Sequence, residues 1–286
     1  MEAFLSYLHH PAVQFGVAPF IVGLVVALVL HRFQLGGLAM IAGMATAFFM
    51  VVGFSFTPLT TLRKIFLVAL ATPLIGFFID VTFRGNRGGA AVTALVAAAA
   101  AVWVFYPVLR QVGMPNLLLP GAVMVISMIW LVYLFLTALG ERSVPCTVAA
   151  LAMALGVGAL ASVGAAPSFA HFGFALGAGV GAFLLVLIIS GRNHAAGATL
   201  GLTAAVACGL LVNAAMITAH LHWHAVAVFA LTPFMARLPG PSRSGIWLQT
   251  VIYGLYAALP VAAAYIIAKN GFTDALKIFQ QLLNKL

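Results

Sequence analysis

Apolar residues fall in long runs, mostly of about twenty, separated by short polar breaks along nearly the whole chain. The runs cover residues 12–30, 35–56, 65–79, 89–108, 117–139, 146–163, 171–189, 195–217, 220–236 and 246–268. A helix needs roughly 20 apolar residues to cross the bilayer core, so the pattern predicts about ten membrane-spanning helices. The breaks carry the punctuation expected of connections: His31-Arg32, the glycine-arginine stretch 84–89, Glu141-Arg142, Gly191-Arg192-Asn193-His194, and the proline- and serine-containing stretch 238–245. Two further segments are amphipathic rather than apolar. Phe4, Leu5 and Leu8 precede Pro11, and in the tail 273–286 Leu276, Phe279, Leu282, Leu283 and Leu286 share one helical face. Such faces suit the membrane interface or a partner.

Composition agrees and narrows the class. Hydrophobic residues make up 64% of the chain and charged residues 6%, against roughly 25% charged in soluble domains. A water-soluble fold of this length could not cover itself. The chain reads as an all-α integral membrane protein, one transmembrane domain over 1–286, whose first partner is the lipid bilayer. The first run is read as a retained span, because no Lys or Arg precedes it and no small-residue cleavage site follows it.

The net charge of +9 does not signal nucleic acid, because the cations lie between apolar runs instead of forming one basic face. Counted by side, the odd-to-even loops hold seven cations: Arg32, Arg84, Arg87, Arg142, Arg192, Arg237 and Arg243. The other side holds six: Arg63, Lys64, Arg110, Lys269, Lys277 and Lys285. Every odd-to-even loop is basic, so these loops are assigned to the cytoplasm, with both termini outside, in the inner (plasma) membrane of a prokaryote. The connections leave no room for a soluble domain, so function sits in the membrane, at its interfaces or in partners, either other membrane subunits or a second copy.

An internal repeat is the next expectation. At an offset of 160, Arg32 falls on Arg192, Gly37 on Gly197, Val68 on Val228, Thr72-Pro73 on Thr232-Pro233 and Gly85 on Gly245, without gaps. The repeat would relate 12–108 to 171–268 in parallel, with 117–163 between them. Proline removes a backbone hydrogen bond and frees a carbonyl, which a neighbouring Thr can satisfy. Broken helices at matching repeat positions mark midplane binding sites in transporters. Thr72, Pro73, Thr232 and Pro233 are therefore the candidate substrate contacts. Asn213, the strongly polar residue nearest a span's centre, joins them, although an interhelical hydrogen bond also accounts for it.

The remaining candidates are weighed on chemistry. Arg84, Arg87, Arg192 and Arg243 precede predicted helix N-termini, where free N–H groups favour anions or lipid headgroups. Asp80 ends the third run and is expected to pair with the arginines of its own loop. His220 and His224 would share a face of a continuous helix, a geometry able to bind a metal, but no Cys or carboxylate nearby in sequence completes the set. Cys146 and Cys208 form no motif. The stretch Asn193-x-x-Ala196-Gly197-Ala198-Thr199 is similar to the flavin-attachment pattern Asp-x-x-Ser/Thr-Gly-Ala-Thr of redox-pump membrane subunits. That resemblance implies flavin on Thr199; it covers seven residues and departs at Asn193 and Ala196. No cofactor is expected, with haem, metal and covalent flavin each disfavoured. Catalytic pairs are missing, which favours a non-enzymatic role. The leading expectation is a permease-like protein for a small, weakly charged or lipid-like solute. The alternative is a non-catalytic membrane subunit or scaffold, and an intramembrane metal or redox protein comes last.

Overall fold

The computed structural model describes residues 10–30, 33, 35–54, 56–82, 86–111, 114–164, 166–191, 196–240, 244–272 and 274. Within them the regular structure is helical throughout. In chain order the helices are α1 (Val13–Leu30, opening with a wide π-type turn), α2 (Gly36–Val51), α3 (Thr61–Thr82) and α4 (Arg87–Leu109). Next come α5 (Met114–Leu134, continued by a π-type turn at Phe135–Leu139), α6 (Ser143–Val163), α7 (Pro167–Ser190) and α8 (Gly197–Thr218). The last three are α9 (Trp223–Phe229), α10 (Thr232–Ala236) and α11 (Ile246–Asn270). Among the described residues eight segments are long and apolar enough to cross a membrane, and Gly36–Val51 and Trp223–Ala236 are shorter apolar helices.

The bundle is built around α8. Every residue from Gly197 to Met216 is buried, and α8 packs against α2, α3, α4, α5, α6, α7 and α9. Its composition explains how so many helices fit. Gly, Ala and Thr supply much of its surface, and small residues let helix backbones approach closely where lipid gives no hydrophobic drive. A second close crossing joins α1, α2 and α7, where a Cβ placed on Gly23 would stand 2.9 Å from Gly179 Cα. The outer ring keeps large apolar side chains on the surface, including Leu74, Phe78 and Val81 of α3, Val92 and Val96 of α4, and Leu255 and Leu259 of α11. Trp103 and Tyr106 are exposed toward the end of α4, and Lys64 Nζ sits 4.9 Å above the Trp103 ring, an arrangement suited to an interfacial aromatic belt.

Two predicted spans need correction. The run 35–56 is helical only over Gly36–Val51, 16 residues, or about 24 Å of rise. Gly53 then takes φ 75° and Pro58 follows, so the backbone leaves the helix despite its apolar composition. The run 220–236 is not one helix. It begins at Trp223, stops at Phe229, turns through Ala230-Leu231 and resumes at Thr232. Pro233 is the physical reason, since it has no N–H to return to the Phe229 carbonyl. The amphipathic segments at 1–9 and 275–286 lie outside the described residues.

Candidate functional site: the polar seam of the central helix

Both Thr-Pro pairs use one local device. Pro73 frees the carbonyl of Ala69, and the Thr72 hydroxyl lies 2.6 Å from it. Pro233 frees the carbonyl of Phe229, and the Thr232 hydroxyl lies 2.7 Å from it. In each case the residue before the proline supplies the missing donor, so a buried carbonyl is not left unpaired. The outcome differs. α3 runs unbroken through Pro73, whereas Pro233 follows a break and occupies the first turn of α10, where proline is best tolerated. The expected pair of broken helices is therefore one continuous and one broken. Nor do α3 and α10 face each other: α3 packs chiefly on α8, and α10 on α11 and α6.

Thr72 faces α8. Its oxygen lies 3.1 Å from Thr203 Oγ1, and Thr203 in turn donates to the Thr199 carbonyl at 2.6 Å. Two hydroxyl protons serve three contacts, so each hydroxyl satisfies its own helix's carbonyl and the Thr72–Thr203 contact holds only when one of them lets go. The same seam is sterically tight. A Cβ on Gly76 would stand 2.6 Å from Thr199 Cα, and one on Gly37 of α2 would stand 2.3 Å from the Thr199 carbonyl oxygen. Thr199 is thus gripped from two helices and buried, and that is where the residue of the flavin-like motif lies. Thr203 is missed by a search for prolines, although its four-residue spacing from Thr199 places both on one helical face.

Asp80 reaches across to α8, while Arg84 of its own loop lies outside the described residues. Both carboxylate oxygens accept from the Ala198 backbone N–H, each at 2.8 Å. Ala198 belongs to the first turn of α8, whose N-cap residue Ala196 has no side chain able to cap it. The acid of α3 caps the helix from 118 positions away, where free N–H groups and the helix dipole favour negative charge. Gly197 adopts φ 72° and donates to the Gly140 carbonyl at 3.1 Å, a conformation that only glycine adopts at little cost. Replacing Asp80 with alanine is expected to cost about 1–3 kcal/mol, the usual penalty for orphaning a buried donor. Asp80→Asn, which keeps an acceptor, should lose less. Thermal unfolding in mild detergent reads both.

Near the other end of α8, Asn213 is fully buried. Its Nδ2 donates to the Gly209 carbonyl at 2.8 Å and to Ser127 Oγ of α5 at 3.2 Å. The Ser127 hydroxyl donates onward to the Met124 carbonyl at 3.0 Å. These bonds fix the amide's orientation, because reversing it would set Oδ1 against the Gly209 carbonyl. Oδ1 is left without a partner. Three residues along α5, Trp130 Nε1 donates at 3.1 Å to the Ala230 carbonyl, at the break between α9 and α10.

His220 lies outside the helix, with φ 56°, so it shares no helical face with His224. Helix α9 starts only at Trp223, and His224 stacks between Trp223 and Phe272 at centroid distances of 3.6 and 4.3 Å. Among the described residues no group of three or more His, Cys, Asp or Glu gathers as metal ligands. Arg87 is exposed beside Asn86, whose side chain caps α4 by accepting from the Gly88 N–H at 2.9 Å. Arg84, Arg192 and Arg243 lie outside the described residues. The chain matches no protein-family model and none of the curated proteins.

Proposed function

We propose that this polytopic membrane protein is permease-like and moves a small, weakly charged solute, with Thr72-Pro73, Thr232-Pro233 and Asn213 near its path. The observation that carries this reading is the character of the buried polar groups around α8. Among the described residues these are Thr, Ser, Asn and Gln side chains; no acid, lysine, arginine or histidine is fully buried, and the partly buried Asp80 is engaged as the cap of α8. An ionised residue inside a membrane bundle is the usual mark of a proton or ion relay; hydroxyls and amides fit a solute that carries no full charge. The broken helix α9–α10 supports the same reading, because non-helical backbone at membrane depth is tolerated where protein buries it or where it lines a cavity.

In this proposal the two shorter apolar helices complete ten crossings. The segments 12–108 and 171–268 form parallel repeats, and the shared Thr-Pro hydrogen-bond device supports that pairing. The odd-to-even loops face the cytoplasm of a prokaryotic cell. The reading is tested by light scattering of proteoliposomes under inward glycerol and urea gradients. Faster entry than in protein-free liposomes is expected, with a clear loss on combining Thr72→Val and Thr232→Val. Entry that survives both substitutions overturns the placement at the Thr-Pro sites. No entry above the liposome rate, with a second protein co-purifying in mild detergent, moves the assignment to a membrane subunit.

A further inference from the structure

We propose that Asn213 Oδ1 is the recognition point of a binding site for a small neutral molecule carrying an N–H or O–H donor, enclosed by α5, α8 and the broken helix α9–α10. The proposal names the solute class for the permease reading and rests on that reading for transport, though not for binding.

Asn213 is fully buried on the most enclosed helix of the bundle, where an unpaired carbonyl is costly and calls for an explanation. Its two amide protons are spent on Gly209 and Ser127, and the Ser127 proton is spent on Met124. Ser127 therefore has nothing to give back to Oδ1, and what is missing is a donor from outside the chain.

The surroundings restrict what that donor can be. An anion would meet a carbonyl oxygen, the wrong pole of the amide, and no buried cation lies among the described residues to offset it. A metal cation would need several oxygens to replace its hydration shell, and Asn213 offers one. A hydrocarbon would leave Oδ1 unsatisfied. A neutral amide or alcohol fits all three conditions.

The place in the fold points the same way. Ser127 and Trp130 are three residues apart on α5, so they lie on neighbouring parts of one helical face. Ser127 holds Asn213, and Trp130 holds the Ala230 carbonyl where α9 ends. The face thereby joins the unpaired acceptor to the discontinuity in the bundle. Trp130 itself is 39% exposed.

The test reads the carbonyl itself. The full-length protein, labelled with carbon-13 at the asparagine side-chain carbonyl, is placed in lipid nanodiscs and titrated with urea or glycerol. Tetramethylurea, which has no donor, is the control. Subtracting the infrared spectrum of Asn213→Leu isolates the Asn213 band; if that variant does not fold, Asn213→Gln removes the same label with a smaller change. A saturable shift to lower frequency with urea or glycerol, and none with tetramethylurea, is the expected result. A band that neither probe moves overturns the proposal, whether it stands at the free-carbonyl position or is already lowered by a resident water. Solute entry into proteoliposomes without this shift removes the site and spares the permease reading. The shift without solute entry does the reverse.

Discussion

Gly76→Ala and Gly37→Ala are expected to be among the most destabilising single methyl additions, and both act through the same residue. The new methyl of Gly76→Ala would meet Thr199 Cα at 2.6 Å and its nitrogen at 2.8 Å, and that of Gly37→Ala would meet the Thr199 carbonyl oxygen at 2.3 Å. Those atoms are backbone of the central helix, so relief requires moving α8 against α2, α3 and every helix packed on it. Overpacking a tight core costs about 1–3 kcal/mol and sometimes more, and both variants should lie at or above the top of that range. Alanine at Gly121 of α5, where no atom lies within 4 Å of a new Cβ, is the control. It should be neutral, or stabilising by up to about 1 kcal/mol through helix propensity. Thermal unfolding in mild detergent, together with the fraction recovered as a monodisperse species, measures all three. A Gly76→Ala protein as stable as the Gly121→Ala control would mean that α3 and α8 are not in the contact described here.

The second large effect is expected at Thr72, in a form that separates a hydrogen bond from packing. Thr72→Val keeps the shape but removes the donor to the Ala69 carbonyl, which Pro73 leaves without its helical partner. An orphaned buried carbonyl costs about 1–3 kcal/mol. Pro73→Ala returns a backbone N–H to that carbonyl. In the Pro73→Ala background, Thr72→Val should therefore cost much less than it does alone, a coupling that a double-mutant cycle measures directly. Thr72→Ser should stay near the parent. Equal costs in both backgrounds would show that Thr72 matters through its contact with Thr203 and not through the proline. The same cycle at Thr232 and Pro233 should repeat the result, because the Thr232 hydroxyl satisfies Phe229 in the same way.

Much of this local chemistry is legible in the linear chain. A proline preceded by threonine announces both the freed carbonyl and the donor that takes it up, since both lie within four residues. Helix ends are nearly as local: Asn86 caps α4, and Pro58 and Pro233 mark where a regular backbone fails. What the linear chain does not show is partners distant in sequence and where some helices begin. Nothing near Asp80 in sequence announces that it caps a helix 118 residues later. His220 and His224 look like a helical pair until the helix is seen to begin after the first of them.

The solvent around the fold is legible in the linear chain. Long apolar runs with few charges mean helices in lipid, because every backbone N–H and C=O must there be paired within the protein. The same chain shows where those helices have weak points. Which helix is central emerges only once the helices are packed together. The alanine-rich α4 keeps Val92, Leu95 and Val96 exposed, whereas the alanine-rich α8 is enclosed from Gly197 to Met216. The physical reason is that lipid and protein interior are both apolar, so hydropathy does not tell a lipid-facing side from a buried one. Close packing does, through the glycines that admit Thr199, and so does hydrogen-bond satisfaction, through the single acceptor of Asn213 left without a donor.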